Sequence, residues 1–401
     1  MLDKLRDRLL GIPGEFLEPL VDLRLRFLGP GAFGEMLARV LVVFGADHDD
    51  VIDVLERSRN LTEVAGNFSD LGWDWEKRGR RELEAQHRES ARDAFKRAAI
   101  YYAVEAWGAT SQGAIHDAYV DIGRCYDRFR ELSRHPIEKV EIPYGDKTLP
   151  GFLRRPVGSR SRVGKDPAPL FVIIQGMDSL KEWLELFERR ALERGFATLN
   201  FDLPGNGESL ARGIALHHPD DILEVGRGLR SFVDGLDGVD RGRIVLFGFS
   251  LGGQWALGLT PHEMEPVAVA TLGAPYDYSF LERMTPQELR RAAFATGHES
   301  VGEIRRKVEG VSLRGALRRI EVPVLVIHGE LDREVRVWHA ESIHNALTCP
   351  KELLVIEGED HLTTRSLRRR VLPYAVDWLM DRVVESRPDV RVEFRGGSGS
   401  P

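Results

Sequence analysis

Ser250, Asp332 and His361 are the residues whose types and spacing could do chemistry in this chain. Ser250 stands in Gly248-Phe249-Ser250-Leu251-Gly252, a G-x-S-x-G pattern, directly after the apolar run Ile244-Val245-Leu246-Phe247. Such a run, bounded by a turn signal, predicts a buried parallel strand. Gln254-Trp255-Ala256-Leu257 then predicts the start of a helix. A serine on so tight a strand-to-helix turn needs small neighbours for the backbone to pass. Its hydroxyl is a weak nucleophile at neutral pH and requires an adjacent base. His361, in "EGEDH", could take that proton and later give one to a leaving group. Asp332, in "HGELDREV", would fix the imidazole tautomer and stabilise the imidazolium. The oxyanion of such an attack needs donors: the backbone N–H groups of Leu251 and, from the loop "QGMDS", of Met177.

Each residue also has a plainer role. The glycines could form a turn without chemistry. Asp332 heads "LDREV" and would suit a helix N-cap, and Glu330 is an alternative acid two residues away. His361 could be a solvated loop histidine. His328 precedes a turn glycine and is expected to pack under the site. The adjacent His217 and His218 have no third ligand in view and are expected to be solvated, so no metal site and no cofactor is expected. The combination outweighs its parts. Serine, acid and base are read as leaving three successive strands in the order Ser…Asp…His, which is the α/β-hydrolase order and differs from the two protease orders.

The elements that must position these groups follow a rhythm from Pro169 onward. "LFVIIQG", "FATLNFDLPGNGES", "RIVLFGFS", "PVAVATLG", "VPVLVIHGE" and "ELLVIEGE" read as strands with helical stretches between, and "SLKEWLELFERRALERG" as one helix. Alternating α and β elements with buried apolar strands predict a doubly wound, mostly parallel α/β sheet, with functional residues at the C-terminal ends of its strands. Ahead of it, "IEKVEIPYGDKTLPGFLRRP" alternates around a "GDK" turn and predicts an antiparallel hairpin. Residues 1 to about 135 read as helical. "ARDAFKRAAIYYAVEAW" puts Ala91, Ala94, Phe95, Ala98 and Tyr102 on one face, with Ser90 as N-cap, and the charged "DWEKRGRRELEAQHRE" before it suits an exposed partner in a helical hairpin. "MLARVLVVFG" reads as a buried helix. Tyr101, Tyr102 and Trp107 would fill the helix core or line an aromatic cavity. The expected division is a helical cap over 1–135, a catalytic domain over 136–390 and a flexible tail over 391–401.

A chain of 401 residues can hold two domains, and 42% apolar with 30% charged residues is ordinary for a globular protein. A net charge of −7 gives no electrostatic case for nucleic acid or an anionic membrane. No segment approaches the ~18 apolar residues of a membrane span, and the charged N-terminus lacks a signal-peptide core. Cys125 and Cys349 are the only cysteines and stand far apart, which predicts no disulfide framework and a cytoplasmic location.

The motifs "QGMDSLKEW", "DLPGNGES", "GFSLGG", "HGELDREV" and "EGEDH", behind the helical "ARDAFKRAAIYY", resemble the 2,6-dihydroxypseudooxynicotine hydrolase group of α/β-hydrolases. Fermentation-respiration-switch-type esterases and fungal heptaketide-shortening hydrolases are similar. The resemblance runs from about residue 70 to 385, and "GMDS-K-E" with the helical preface is its most specific part. It implies an α/β-hydrolase fold, a helical cap over the active site that helps form a homodimer, and Ser250, Asp332 and His361 as the triad. It implies a small-molecule substrate, aromatic or polyketide-like, cleaved at a carbon–carbon bond beside a ketone or at an ester. The carbon–carbon-cleaving member adds a glutamate after the strand that follows the elbow. In "LGAPYDYSFLERM" Glu282 lies near that place, with Asp277 in competition and an exposed helix-start glutamate as its plainer role. Asp178 and Tyr276 are further candidates for contact with substrate. Two other classes stay open: a lyase or cyclase using His361 as base without acyl transfer, and a binding protein that keeps the fold. An intact triad argues against the binder, which needs no acid at 332.

Overall fold

The computed structural model describes residues 31–108, 111–156, 167–177, 179–217, 221–284, 286–298 and 300–385. The charged N-terminus, Asp178, His218 and the "RGGSGSP" tail lie outside the described residues.

Among the described residues, helices precede the first strand: α1 Gly31–Phe44, α2 His48–Arg57, α3 Leu61–Glu84, α4 Arg88–Gly108 and α5 Gln112–Leu132. In α1 the apolar run buries Leu37, Leu41, Val43 and Phe44. Helices α3 and α4 form the expected antiparallel hairpin, with the Tyr102 ring over Gly72 and the Phe95 ring over Gly79. Ala91, Ala94, Phe95, Ala98 and Tyr102 are all buried, as their spacing predicts. Ser90 is not the cap. The chain reverses at Gln86, whose φ is 63°, so α4 starts at Arg88 and the Ala91 N–H already bonds to His87 O. Nor is α3 exposed all round, because Glu76 is buried against α4 and α5. Tyr101 and Tyr102 fill the helix core, their hydroxyls bonded to Asp50 (2.6 Å) and Glu76 (3.1 Å).

Among the described residues the strands are β1 Ile137–Tyr144, β2 Lys147–Arg154, β3 Ala168–Ile174, β4 Ala197–Phe201, β5 Val239–Phe249, β6 Ala268–Leu272, β7 Val324–Gly329 and β8 Lys351–Ile356. They form one sheet in the order β1-β2-β4-β3-β5-β6-β7-β8. The β1–β2 hairpin turns at Gly145-Asp146, and β2 also runs antiparallel to β4. Every pair from β4 to β8 is parallel. Because β4 pairs with one edge of β3 and β5 with the other, the connections diverge there, and such a switch point opens a crevice beyond the C-terminal strand ends. The stretch expected as one helix after β3 is broken: a 3₁₀ turn, Lys181–Trp183, precedes α6, Glu185–Leu192. The break follows from Lys181 and Glu182, whose charged ends turn inward to a buried carboxylate cluster.

Strand alternation divides the core. Leu170, Val172, Ile244 and Leu246 face one cluster, and Phe171, Ile173, Val245 and Phe247 face the other. That second cluster continues without a gap into the helical layer. Tyr126 of α5 stacks on Phe152 of β2 (4.9 Å), and Phe44 of α1 stacks on Trp183 (4.8 Å). Burial of each such ring is worth roughly 1.5–3 kcal/mol, against about 1 kcal/mol or less for an ion pair such as Lys96–Glu185. Apolar packing therefore fixes the helices on the sheet.

Candidate active site

The residues singled out in the sequence come together at the C-terminal strand ends. Ser250 joins β5 to helix α7, Leu251–Leu259, with φ 52° and ψ −132°. A non-glycine residue in that region costs of order 1–3 kcal/mol and persists only if its surroundings hold it. Here the Ser250 N–H donates to Leu272 O (2.8 Å) and Ser250 O accepts from the Gly253 N–H (2.9 Å). A Cβ on Gly248 would lie 2.2 Å from Gly252 O, and one on Gly252 would lie 2.1 Å from Ile174 O. The two glycines of the motif are thus a packing requirement of the turn.

The three residues leave β5, β7 and β8, which are not successive strands. Strand β6 pairs between β5 and β7, and Gly273 at its end lies against the His361 ring. The loops after β7 and β8 are tied together by the Glu330 N–H to Ile356 O (2.9 Å) and the Leu331 N–H to Glu359 O (2.8 Å). This brings His361 Nδ1 to 2.7 Å from Asp332 Oδ2 and His361 Nε2 to 2.9 Å from Ser250 Oγ. Asp332 does not head a helix, because the next one begins only at Trp338 with Val337 before it; its Oδ1 instead holds the loop, accepting the N–H groups of Glu334 (3.0 Å) and Val335 (2.8 Å). Glu330 points elsewhere and accepts the Gly358 N–H (3.0 Å). His328 packs under the site as expected, with Nε2 2.7 Å from Val335 O and 3.2 Å from Asp332 Oδ2. A carbonyl only accepts, so that nitrogen carries the proton.

Burial pushes the Asp332 carboxyl up, but His361 and His328 outweigh it and hold it at about 2. For His361 burial works downward, and Asp332 and Glu334 overcome it and raise the ring to about 9. No chemical pattern in the sequence marks Glu334 beyond its place two residues after Asp332. Its Oε2 stands 3.7 Å from His361 Nε2, the nitrogen that faces Ser250. Its side chain is 69% exposed, so water screens its pull and buried Asp332 is the dominant partner.

The loop after β3 abuts the elbow: a Cβ on Gly176, beside Met177, would lie 2.9 Å from Ser250 Cβ. Leu251 is the first residue of α7, where a helix provides no internal acceptor for the N–H and its dipole favours negative charge. Tyr276 is half-buried beyond β6, its N–H given to His339 Nδ1 (3.1 Å) and its carbonyl accepting from Leu313. Burial first of all lowers His339 to about 4, which keeps that ring a neutral acceptor. Glu282 is exposed on the 3₁₀ turn Tyr278–Arg283, and no hydrogen bond among the described residues joins it to Ser250 or His361. Asp277 caps that turn, accepting the Ser279 N–H (3.0 Å) and hydroxyl (2.6 Å). Asp178 and His218 lie outside the described residues, and the His217 N–H bonds to the Asp221 carboxylate.

This strand order, with a serine on the elbow after β5, defines an α/β-hydrolase. The family model described as esterase FrsA-like matches residues 26–292, and the chain belongs to that family. It is 24% identical over 351 residues to the 2,6-dihydropseudooxynicotine hydrolase of Paenarthrobacter nicotinovorans, covering 86% of this chain and 92% of that one. It is 26% identical over 250 residues to the esterase FrsA of Vibrio cholerae, 60% of this chain and 55% of the relative. The solved 2,6-dihydroxy-pseudo-oxynicotine hydrolase has the same fold, with a TM-score of 0.75 at 22% identity over 88% of this chain and 97% of that one. The chain is a hydrolase. Among the described residues no helix is long and apolar enough to cross a membrane.

Proposed function

We propose that this hydrolase works through an acyl-enzyme, with Ser250 as nucleophile, His361 as general base and acid, and Asp332 as the group that orients the ring. The observation that carries the reading is the unbroken line of hydrogen bonds from Ser250 Oγ through both His361 nitrogens to Asp332. Ser250 Oγ attacks a carbonyl carbon as His361 Nε2 takes its proton. The N–H groups of Leu251 and Met177 receive the oxyanion. Collapse breaks the bond to the leaving group, which takes the proton from His361. Water, activated by the same ring, then releases the acid. The substrate is an aryl ketone, β-diketone or polyketide-like molecule cleaved at the carbon–carbon bond beside the ketone, a reading supported by the relative that matches over nearly its whole length. A carboxylic ester is the second reading, favoured by the family model. Glu282, Tyr276 and Asp178 are the candidates for substrate contact in either reading.

In this reading residues 1–135 form the cap, 136–390 the catalytic domain and 391–401 a tail. The core shared by helices and sheet supports a cap that cannot be removed without exposing apolar surface. The resemblance to the hydrolase group supports a homodimer, which sedimentation would test, and the unpaired Cys125 and Cys349 fit a cytoplasmic location. The deciding experiment is labelling by an organophosphonate fluoride followed by peptide mass analysis. The adduct is expected on Ser250, with a covalent acyl-enzyme in single-turnover assays. Turnover with no adduct and no acyl-enzyme would point to the lyase or cyclase chemistry instead.

A further inference from the structure

Asp202 is the first residue beyond β4 and is fully buried, yet the mechanism above does not use it. Among the described residues its carboxylate accepts four hydrogen bonds. Oδ1 takes the Gln175 side-chain N–H (2.8 Å) and the Lys181 backbone N–H (2.9 Å). Oδ2 takes the Lys181 ammonium (3.0 Å) and the Glu208 backbone N–H (2.8 Å). Gln175 and Lys181 are the two ends of the loop that carries Gly176 and Met177 past Ser250. One carboxylate therefore holds both ends of that loop to the end of β4. The same β4 connection also holds the residue next to Gln175, where Asn206 Nδ2 donates to Gly176 O (2.8 Å). Gly207, at φ +49°, makes the close approach possible, because a Cβ there would fall 2.4 Å from Asp202 Cγ.

The cluster is built as a charge clamp. The Lys181 ammonium also meets Glu182 (2.7 Å) and Glu208 (2.7 Å). Burial opposes its charge, but Asp202, Glu182 and Glu208 outweigh that and raise its pKa above the usual lysine value. Glu182 in turn receives the Tyr119 hydroxyl of α5 (3.3 Å), so the clamp reaches the helical layer. Donors to a developing oxyanion work only if they are fixed to within about 0.5 Å of the productive position. A seven-residue connection held by its backbone alone would not be fixed so closely.

We propose that Asp202 is a positioning residue: through Gln175 and Lys181 it holds the 175–181 loop, and with it the Met177 N–H, in register with the Ser250 oxyanion. This rests on the reading of Ser250 as nucleophile. Asp202→Asn keeps the shape but puts an N–H₂ where one acceptor stood. In the full chain, kcat for p-nitrophenyl acetate is expected to fall about 100-fold per titrated site, with KM changed less than about threefold, as for loss of an oxyanion donor. Inhibition by a trifluoromethyl ketone, whose adduct carries the oxyanion, is expected to weaken by the same factor. Gln175→Met removes a single donor to Asp202 with little change of volume and is expected to lower kcat about tenfold, in proportion to the one bond lost. It keeps the test open if Asp202→Asn fails to fold. A purely structural role would lower the melting temperature and the titrated fraction while leaving kcat per site and ketone affinity unchanged, and that result overturns the proposal. Failure of the parent chain to titrate at Ser250 sinks both readings and shows before any variant is compared. Unchanged kcat in folded variants with intact titration sinks the clamp alone.

Discussion

Glu76 in the helical layer and Asp332 at the end of β7 are both buried carboxylates, and they keep different company. Glu76 accepts from Arg124 (2.9 and 2.6 Å), Arg80 (2.6 Å) and the Tyr102 hydroxyl (3.1 Å). Asp332 accepts from backbone N–H groups and stands beside two imidazoles, those of His361 and His328. Burial alone would raise both carboxyls, and their partners bring both down to about 2. The difference lies in what the partners can do. A guanidinium never gives up its proton in the working range, so Glu76 is a fixed staple between α3 and α5. An imidazole can gain and lose one, so Asp332 steadies a group whose other nitrogen faces a hydroxyl. Burial and a low carboxyl pKa do not by themselves mark a working residue; in the proposed mechanism the mark is a titratable partner whose second nitrogen faces the serine hydroxyl.

Ser250→Ala is expected to lower kcat by about 10⁴-fold or more, with an unchanged far-ultraviolet spectrum and melting temperature. Retention of more than about a thousandth of the activity would falsify the acyl-enzyme route. Asp332→Asn is expected to cost about 10³–10⁴-fold in kcat, because the ring loses its tautomer control. Glu330→Gln should change kcat less than about threefold, as expected of an exposed residue away from the site. The reverse ranking reassigns the acid.

Glu76→Gln should show the opposite profile. Urea unfolding is expected to report a loss of about 3 kcal/mol, as for breaking a buried ion pair, while kcat of the folded protein stays at the parent value. A fall in kcat without a fall in stability would make Glu76 more than a staple. Its stabilising effect is present above the ordinary glutamate value of 4.5 and is lost as pH falls through about 2.

Smaller effects concern pH. His361 is raised to about 9 from an ordinary 6.5, and in the proposed mechanism the neutral ring is the base. kcat/KM should therefore rise with pH along a limb between 6.5 and 9. The ring's contribution to stability runs the other way: it is complete below 6.5 and lost as pH climbs through 9. A kcat/KM profile flat across that interval removes His361 from the role. Smallest of all, Glu334→Gln should move the limb downward by about half a unit, since an exposed carboxylate is screened. An upward shift would show that Glu334 does not favour the charged ring.

Much of this molecule was legible one residue at a time. Apolar runs such as Val324–Ile327 are buried on both faces, so their composition alone marks parallel strands. The "GDK" turn gave away the first hairpin, and G-x-S-x-G is dictated by atoms that cannot overlap between Gly248 and Gly252. The order Ser…Asp…His was likewise open to reading. Other features were decided only when distant segments met. Ser90 was displaced as a cap by a reversal at Gln86 that no local pattern announced. The helix expected at 179–195 broke because Lys181 found partners at Asp202 and Glu208. The place of β6 between β5 and β7, the approach of Glu334 to His361, and the clamp of Asp202 on Gln175 are all products of strand pairing. Local patterns record what a residue needs from its near neighbours, such as a side to bury, a turn to permit or a proton to move. Which distant group answers that need depends on sheet order and loop contact, and these exist only once the chain has closed on itself.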